Sequence, residues 1–470
     1  MRSRIIVFLL VAGPLAHAQP VEPAVPPAPP DPTTVVPPSP EVEQPPPAPP
    51  PPPPAMARDG DAHNYERAPE AASVRGGSIV RGVGVGLGVV FRVVFAPFRG
   101  LLYLDARYAL VSKIKNVFVN DAGTLGIYPA LSYATDFGVT YGAKAFLKDY
   151  FGAGEEASLS AKTGGAVTQQ YQFKFELPHI GGSPLYVRTR VRYEENSNLL
   201  FAGIGNEMAT HTRFSQQRFL TVLSTGVVLG NQGTRFRIGT SAIYNDRSFG
   251  AGAEAASDPS IETVYDTSML RGFDDGFRNL ELAVDAELDT RDVAGPTHNG
   301  AVLRAFAGGG SILEDAKYAH YGGEAAYFLS PFWPGRVFVG RVALEGVRDR
   351  NNDIPFTELP RIGGAGQLRG YRTDQFRDKL ATVATIEYHY PIHANISGDV
   401  FVETGKVAAT YEALLGSGLS DNWHVGYGGG FIIHSKSAVK ARVDVAFGDG
   451  LHVYFSTDVL DAFRKRETEL

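Results

Sequence analysis

Val439-Lys440-Ala441-Arg442-Val443-Asp444-Val445-Ala446-Phe447 carries an apolar residue at every odd position and a charge at three of its four even ones. Successive side chains on a β-strand point to opposite faces, so this stretch has one oily face and one wet face. The same period of two runs through Tyr171 to Leu177, where Gln172, Lys174 and Glu176 alternate with Tyr171, Phe173 and Phe175. In Val187 to Tyr193 the wet positions are Arg188, Arg190 and Arg192; in Leu280 to Thr290 they are Glu281, Asp285, Glu287 and Asp289. Alternation by itself also suits a soluble sandwich, whose oily faces meet in a core. Repetition separates the two. Two-faced segments of roughly ten residues recur from residue 123 to 460 without an intervening helical pattern, about eleven before residue 360 and about five after it. A closed barrel is the sheet that satisfies its whole backbone in lipid. The sequence therefore predicts an all-β fold, a transmembrane antiparallel β-barrel of about sixteen strands spanning residues 123–463.

Composition agrees. The chain has 470 residues, 53 of them glycine and 11% aromatic, which suits strands and tight turns. With no cysteine there is neither disulfide nor thiolate metal site, and a formal charge of -6 is too mild to point to nucleic acid.

The segments ahead of the barrel read differently. Arg2 and Arg4 precede an apolar run, Ile5 to Ala12, that ends at Ala16-His17-Ala18, the pattern of a cleaved signal peptide over residues 1–18. Export to a bacterial cell's outer membrane follows as an expectation. Residues 19–78 include a stretch, 20–55, that holds more than half of the 32 prolines and almost no large apolar side chain. Such a segment forms no core and is expected to be a disordered, polyproline-type periplasmic spacer, able to contact peptidoglycan. Residues 79–122 are too rich in arginine and glycine for a membrane-spanning helix. Within them Leu101, Leu104, Tyr108, Val111 and Phe118 recur near helical spacing, which predicts a short amphipathic helix at the barrel's periplasmic mouth or on the membrane surface. Residues 464–470 are a charged tail after Phe463.

The informative motifs come late. Ile362-Gly363-Gly364-Ala365-Gly366-Gln367-Leu368-Arg369-Gly370-Tyr371-Arg372 is followed by Ile386-Glu387-Tyr388-His389-Tyr390-Pro391 and then by Phe401-Val402-Glu403-Thr404-Gly405. Read as strands, these put Glu387 in phase with Thr385 and His389, and Glu403 in phase with Asp399 and Gly405, so both carboxylates face inward. A guanidinium in a partly dehydrated lumen requires such planar acceptors.

In this ordered set the chain resembles the BamA/TamA superfamily of outer-membrane barrels, the bacterial surface antigens. The resemblance implies a long extracellular loop folded into the lumen, with Leu368, Arg369, Gly370 and Tyr371 at its tip and Glu387, Glu403 and Gly405 on the wall that receives it. The second acidic position carries Glu403 where the family has an aspartate, so Arg369 must stand farther from the wall or pair differently. Asp289-Thr290-Arg291-Asp292 with Pro296 and Gly300 resembles the family's strand-turn-strand signature, and Phe201-Ala202-Gly203-Ile204-Gly205-Asn206 its Gly-Ile-Gly-Asn loop. A second tip-like sequence, Leu270-Arg271-Gly272-Phe273, is followed by neither acidic strand and reads as coincidence. Residues 56–122 leave no room for an array of POTRA repeats.

No signature of catalysis is present: there is no Gly-x-Ser-x-Gly elbow, no His-Glu-x-x-His and no phosphate-binding loop. His389 and His393 share a strand face, yet a wet lumen needs inward polar residues anyway, so no metal and no cofactor is expected, and the chain does not read as an enzyme. The resemblance implies a barrel that assists insertion or translocation of other proteins, or of lipids, with outer-membrane lipid and client outer-membrane proteins as partners. The alternatives are a passive channel or surface antigen, and an envelope tether working through the Pro-rich arm.

Overall fold

The structure is a computed structural model that describes residues 118–456 apart from 121, 232, 254–257, 294–296, 313–316, 332–334, 350–353, 394, 417–421 and 435–438. The expected signal peptide, the Pro-rich segment, nearly all of the amphipathic segment, Phe463 with the charged tail, and Pro296 lie outside the described residues, as does the side chain of His393.

Eighteen strands are described: β1 (Leu125–Ala134), β2 (Gly138–Lys148), β3 (Glu156–Gly164), β4 (Val167–Leu177), β5 (Leu185–Phe201), β6 (Thr212–Asn231), β7 (Thr234–Ala251), β8 (Phe277–Asp289), β9 (Gly300–Ile312), β10 (Lys317–Leu329), β11 (Val337–Asp349), β12 (Arg361–Ile362), β13 (Phe376–Arg377), β14 (Leu380–His393), β15 (Ile396–Ala408), β16 (His424–His434), β17 (Val439–Phe447) and β18 (Leu451–Ser456). Sixteen of them close into one antiparallel barrel, eleven from β1 to β11 and five from β14 to β18. β12 and β13 form a separate two-stranded ribbon within the connection between β11 and β14. Among the described residues no helix is long and apolar enough to cross a membrane.

Each joint but one links strands that follow each other along this barrel. The exception is β1 with β18, which brings the two ends of the sheet together through Ser132↔Ser456, Tyr133↔Phe455 and Ala134↔Tyr454. Just beyond them Thr135 N–H donates to Val453 O at 3.2 Å and Val453 N–H to the Thr135 hydroxyl at 2.7 Å.

Period-two patterning explains the two faces. On β8, Leu280, Leu282 and Val284 are exposed on the outside, while Glu281, Asp285, Glu287 and Asp289 are buried in the lumen. Charges confined inside a barrel need partners, and here they pair across neighbouring strands: Arg304 Nε donates to Glu287 at 2.8 Å, and Arg188 to Glu176 at 2.8 Å. The longest connections, residues 252–276 and 350–379, lie at one end of the barrel, and at the other end no connection exceeds the ten residues of 290–299.

Strand length departs from the expected ten residues: β5, β6 and β7 have 17, 20 and 18. Their extra length at the loop end wraps an aromatic cluster. Phe201, Phe214, Ile261, Leu270, Phe273 and Phe356 bury one another there, with Phe356 edge-on to Phe201 at 5.6 Å and to Phe214 at 5.4 Å. Such packing gives strand ends outside the lipid a core of their own. The cluster draws residues from two separate loops, 252–276 and 350–379, and from the loop ends of β5 and β6, and roofs this part of the lumen.

Candidate functional site

The connection between β11 and β14 turns inward, and its conformation depends on backbone that few residues tolerate. Gly363 and Gly364 have φ of 122° and 94°, and an added Cβ on Gly363 would sit 2.2 Å from Arg372 O. Leu368 adopts φ 59° without being glycine, and its side chain is fully buried with Ile362, Tyr371 and Phe376. That burial offsets the cost of a left-handed leucine and fixes the next residue.

The next residue is Arg369, 1% exposed. Its Nη2 donates to Glu387 Oε1 at 2.6 Å, and its Nε to Glu403 Oε1 at 3.0 Å. Its backbone N–H donates to the other oxygen of Glu403 at 2.6 Å. The longer acidic residue therefore pairs differently, taking the side chain edge-on and the main chain at once. Two more carboxylates complete the setting: Asp444 lies 3.4 Å and Asp399 3.9 Å from Arg369 Nη1. The guanidinium carbon stands 3.4 Å from the centroid of the Phe401 ring, which supplies a π face beneath it.

A second arginine enters the same cluster. Arg442 on β17 donates to Asp399 at 2.9 Å and to Asp444 at 2.7 Å, and lies 3.5 Å from Glu387. Four carboxylates thus share two guanidiniums, and His389 Nε2 sits 2.6 Å from the remaining oxygen of Glu387. Glu387, His389 and Asp399 place ligand-type atoms within 4.8 Å of one another. Arginines already engage both carboxylates, so the trio is built as an ion-pair network.

Gly370 and Tyr371 press the loop tip against the wall beside the joint. A Cβ on Gly370 would meet Phe447 O at 2.4 Å and Gly426 Cα at 2.9 Å, so only glycine allows this approach. Asp449 N–H donates to Gly370 O at 3.0 Å, the Tyr454 hydroxyl to Tyr371 O at 3.1 Å, and the Tyr371 hydroxyl to Val425 O at 3.3 Å. Gly405 leaves space for the loop's Ile362, whose Cδ1 lies 2.9 Å from where a Cβ would be.

Arg372 turns the other way. Its Nη1 and Nη2 donate to the two oxygens of Asp258 at 2.8 and 2.7 Å, and its Nε to Asp136 at 2.9 Å. Thr373 N–H takes the second oxygen of Asp136 at 2.9 Å. Arg213 joins them, donating to Asp258 at 2.6 Å and to the main-chain oxygen of Asp136 at 3.2 Å. Hydrogen bonds from Arg372 hold the Asp258 carboxyl down to about 2 against the opposing effect of its burial, and the same bonds raise Arg372 above the ordinary arginine range.

Other sequence-predicted residues lie elsewhere. Asp289 accepts two side-chain hydrogen bonds from Arg291, at 2.9 and 2.8 Å, in the turn before β9. Gly300 ends that turn with φ 124°, its missing Cβ 2.4 Å from Thr290 O. The structure does not bring this turn to the Arg369 cluster. Asn206 does reach the loop end: its side chain accepts from Val407 N–H at 2.9 Å and donates to Asn422 O at 2.6 Å, and Gly205 N–H donates to Arg377 O at 2.8 Å. Of the second tip-like sequence, Phe273 and Leu270 join the aromatic roof and Arg271 is exposed, away from the acidic wall.

Sequence reasoning did not single out Arg442 and Asp444 as partners, although their phase on β17 placed both inward. Arg372, Asp136, Asp258 and Arg213 left no such signal, because three of them sit in or beside loops whose meeting is set by tertiary packing.

The model of the Omp85 superfamily domain matches residues 149–450. No curated protein matches. Among solved structures, BamA from Haemophilus ducreyi lacking POTRA domains 1–3 is similar with a TM-score of 0.51 and 13% identity, over 71% of this chain and 69% of that one. CdiB from Acinetobacter baumannii is similar with a TM-score of 0.47 and 10% identity, over 71% and 59%. CdiB from Escherichia coli gives 0.49 and 10%, over 70% and 62%. This chain thus spans less than two thirds of either CdiB chain.

Proposed function

Because this chain belongs to the Omp85 superfamily and is an outer-membrane β-barrel, we propose that it assists the insertion or translocation of other proteins, or of lipids, and does so at the joint between β1 and β18. The observation that carries this reading is the position of the inward loop. The joint is the place where the barrel can part without breaking a chain connection, and the loop tip anchored by Arg369 sits beside it. Gly370 and Tyr371 touch the β17–β18 side, and Arg372 and Thr373 touch the β1 side. A loop so held controls the shape of the wall that would have to move.

The aromatic roof favours sideways passage over axial flow. Arg377, fully buried, stands 5.0 Å from the Phe201 ring centroid and 5.7 Å from that of Phe356, and donates to Phe356 O at 3.3 Å. A pore through this part of the lumen would require these contacts to be absent or transient. In this reading the long loops face outward and the short turns face the periplasm. The expected export signal at residues 1–18 and a Pro-rich segment able to contact peptidoglycan fit the same reading.

The test is quantitative proteomics of outer membranes before and after depletion of this protein. The reading predicts selective loss of other barrel proteins with unchanged transcripts; an unaltered outer-membrane proteome refutes it.

A further inference from the structure

The cluster around Arg369 accounts for how the loop is fixed to β14, β15 and β17, but it leaves Arg372 unexplained. That residue's partners lie on other elements. Asp136 belongs to the turn joining β1 to β2, at the loop end of the joint; its side chain is 3% exposed and its two oxygens are both taken, by Arg372 Nε and by Thr373 N–H. Asp258 belongs to the long connection between β7 and β8, and Arg213 is the second residue of β6. Two arginines and two aspartates make a charge-balanced quartet, unlike the Arg369 cluster with its excess of carboxylates. A balanced, hydrogen-bonded set of buried charges holds one arrangement strongly and resists partial opening.

Four consecutive residues therefore straddle the joint. Gly370 O receives Asp449 N–H from the β17–β18 turn, and Tyr371 O receives the Tyr454 hydroxyl from β18. Arg372 and Thr373 grip Asp136 next to β1. The two strands that meet at the joint are each tied to the same short piece of loop.

We infer that Asp136 and Arg372 form a latch that clamps β1 to the inward loop and so keeps the loop end of the β1–β18 joint shut until the latch is released. The inference rests on the proposed use of that joint and adds the contact that regulates it. Arg369 anchors the loop; Arg372 makes the anchored loop hold the first strand. Asp258 and Arg213 are positioning residues, since they orient Arg372 and the Asp136 turn without contacting β18.

Hydrogen–deuterium exchange of the full-length purified protein tests this without any client, so its failure is distinct from failure of the functional reading. Asp136→Ala removes both acceptors. The amides of residues 132–137 and 453–456 are then expected to exchange roughly tenfold faster, as the loss of charge-assisted hydrogen bonds implies, while those of β6 and β7 keep their rates. Arg372→Gln should reproduce the pattern and serves if the first variant does not fold. Unchanged exchange at the joint in a folded variant overturns the latch. Faster exchange spread evenly over all strands also overturns it, because the quartet would then be a brace for the whole barrel.

Discussion

Glu403 holds Arg369 by its main chain and its side chain together, accepting the amide N–H at 2.6 Å and Nε at 3.0 Å. One carboxylate thereby sets both where the loop passes the wall and which way its guanidinium points. Glu387 then receives Nη2 at 2.6 Å, and the Phe401 ring lies beneath.

Glu403→Gln keeps an acceptor but deletes the charge that faces Arg369. Breaking a buried pair from one side costs about 3–5 kcal/mol, so the variant should unfold at markedly lower urea concentration while still forming a heat-modifiable barrel on gels. Arg369→Lys should be nearly as damaging, because an ammonium cannot serve Glu387, Glu403 and Asp444 in one plane. A lysine variant as stable as the native protein would show that charge alone suffices.

Gly370→Ala puts a methyl group into space already held by Phe447 O and Gly426 Cα. Both neighbours are backbone, so the loop tip must retreat, at a cost of about 1–3 kcal/mol. The loss should appear as faster proteolysis of residues 362–376, with β6 and β7 unaffected.

Acid should weaken the second cluster on its own schedule. The Asp258 carboxyl is lowered to about 2 in the folded protein, against about 3.9 when unfolded, so its contribution is fully present above the unfolded value. It is lost as pH falls from about 4 towards about 2. The difference in thermal midpoint between the native protein and Asp258→Asn should stay constant from neutral pH to about 5 and then shrink over that acid window. A difference that persists at the acid end would mean that Asp258 acts through packing rather than charge.

Arg377→Ala removes the cation that sits between Phe201 and Phe356 and donates to the main chain of the roof. Planar-bilayer recording should find small or no steady currents for the native barrel and longer-lived open events for the variant. Steady large currents from the native protein would contradict the closed roof.

The strands were legible because lipid on one side and a wet lumen on the other impose a period of two on every segment; Leu280, Leu282 and Val284 against Glu281 and Asp285 show it plainly. The pattern put Glu387 and Glu403 inward on adjacent strands, and the resemblance to the BamA/TamA superfamily, not the pattern, implied that Arg369 pairs with them. Asp399 and Asp444 have that phase too, but nothing local says which inward carboxylate a loop will reach. The extra length of β5 to β7 and the meeting of Arg372, Asp136 and Asp258 depend on loops packing across the barrel mouth, with sequence separations above a hundred residues for Arg372 and each aspartate. Periodicity carries no record of such contacts.

The most direct test uses the absence of cysteine in the native chain. Tyr133→Cys and Phe455→Cys place a single pair of thiols on facing residues of β1 and β18. In proteoliposomes, the rate at which an unfolded barrel protein becomes protease-resistant should rise when the reduced variant is present, fall to the protein-free rate on oxidation, and recover on reduction. Equal rates in the locked and unlocked states, or no acceleration by either, would contradict a function exercised at this joint.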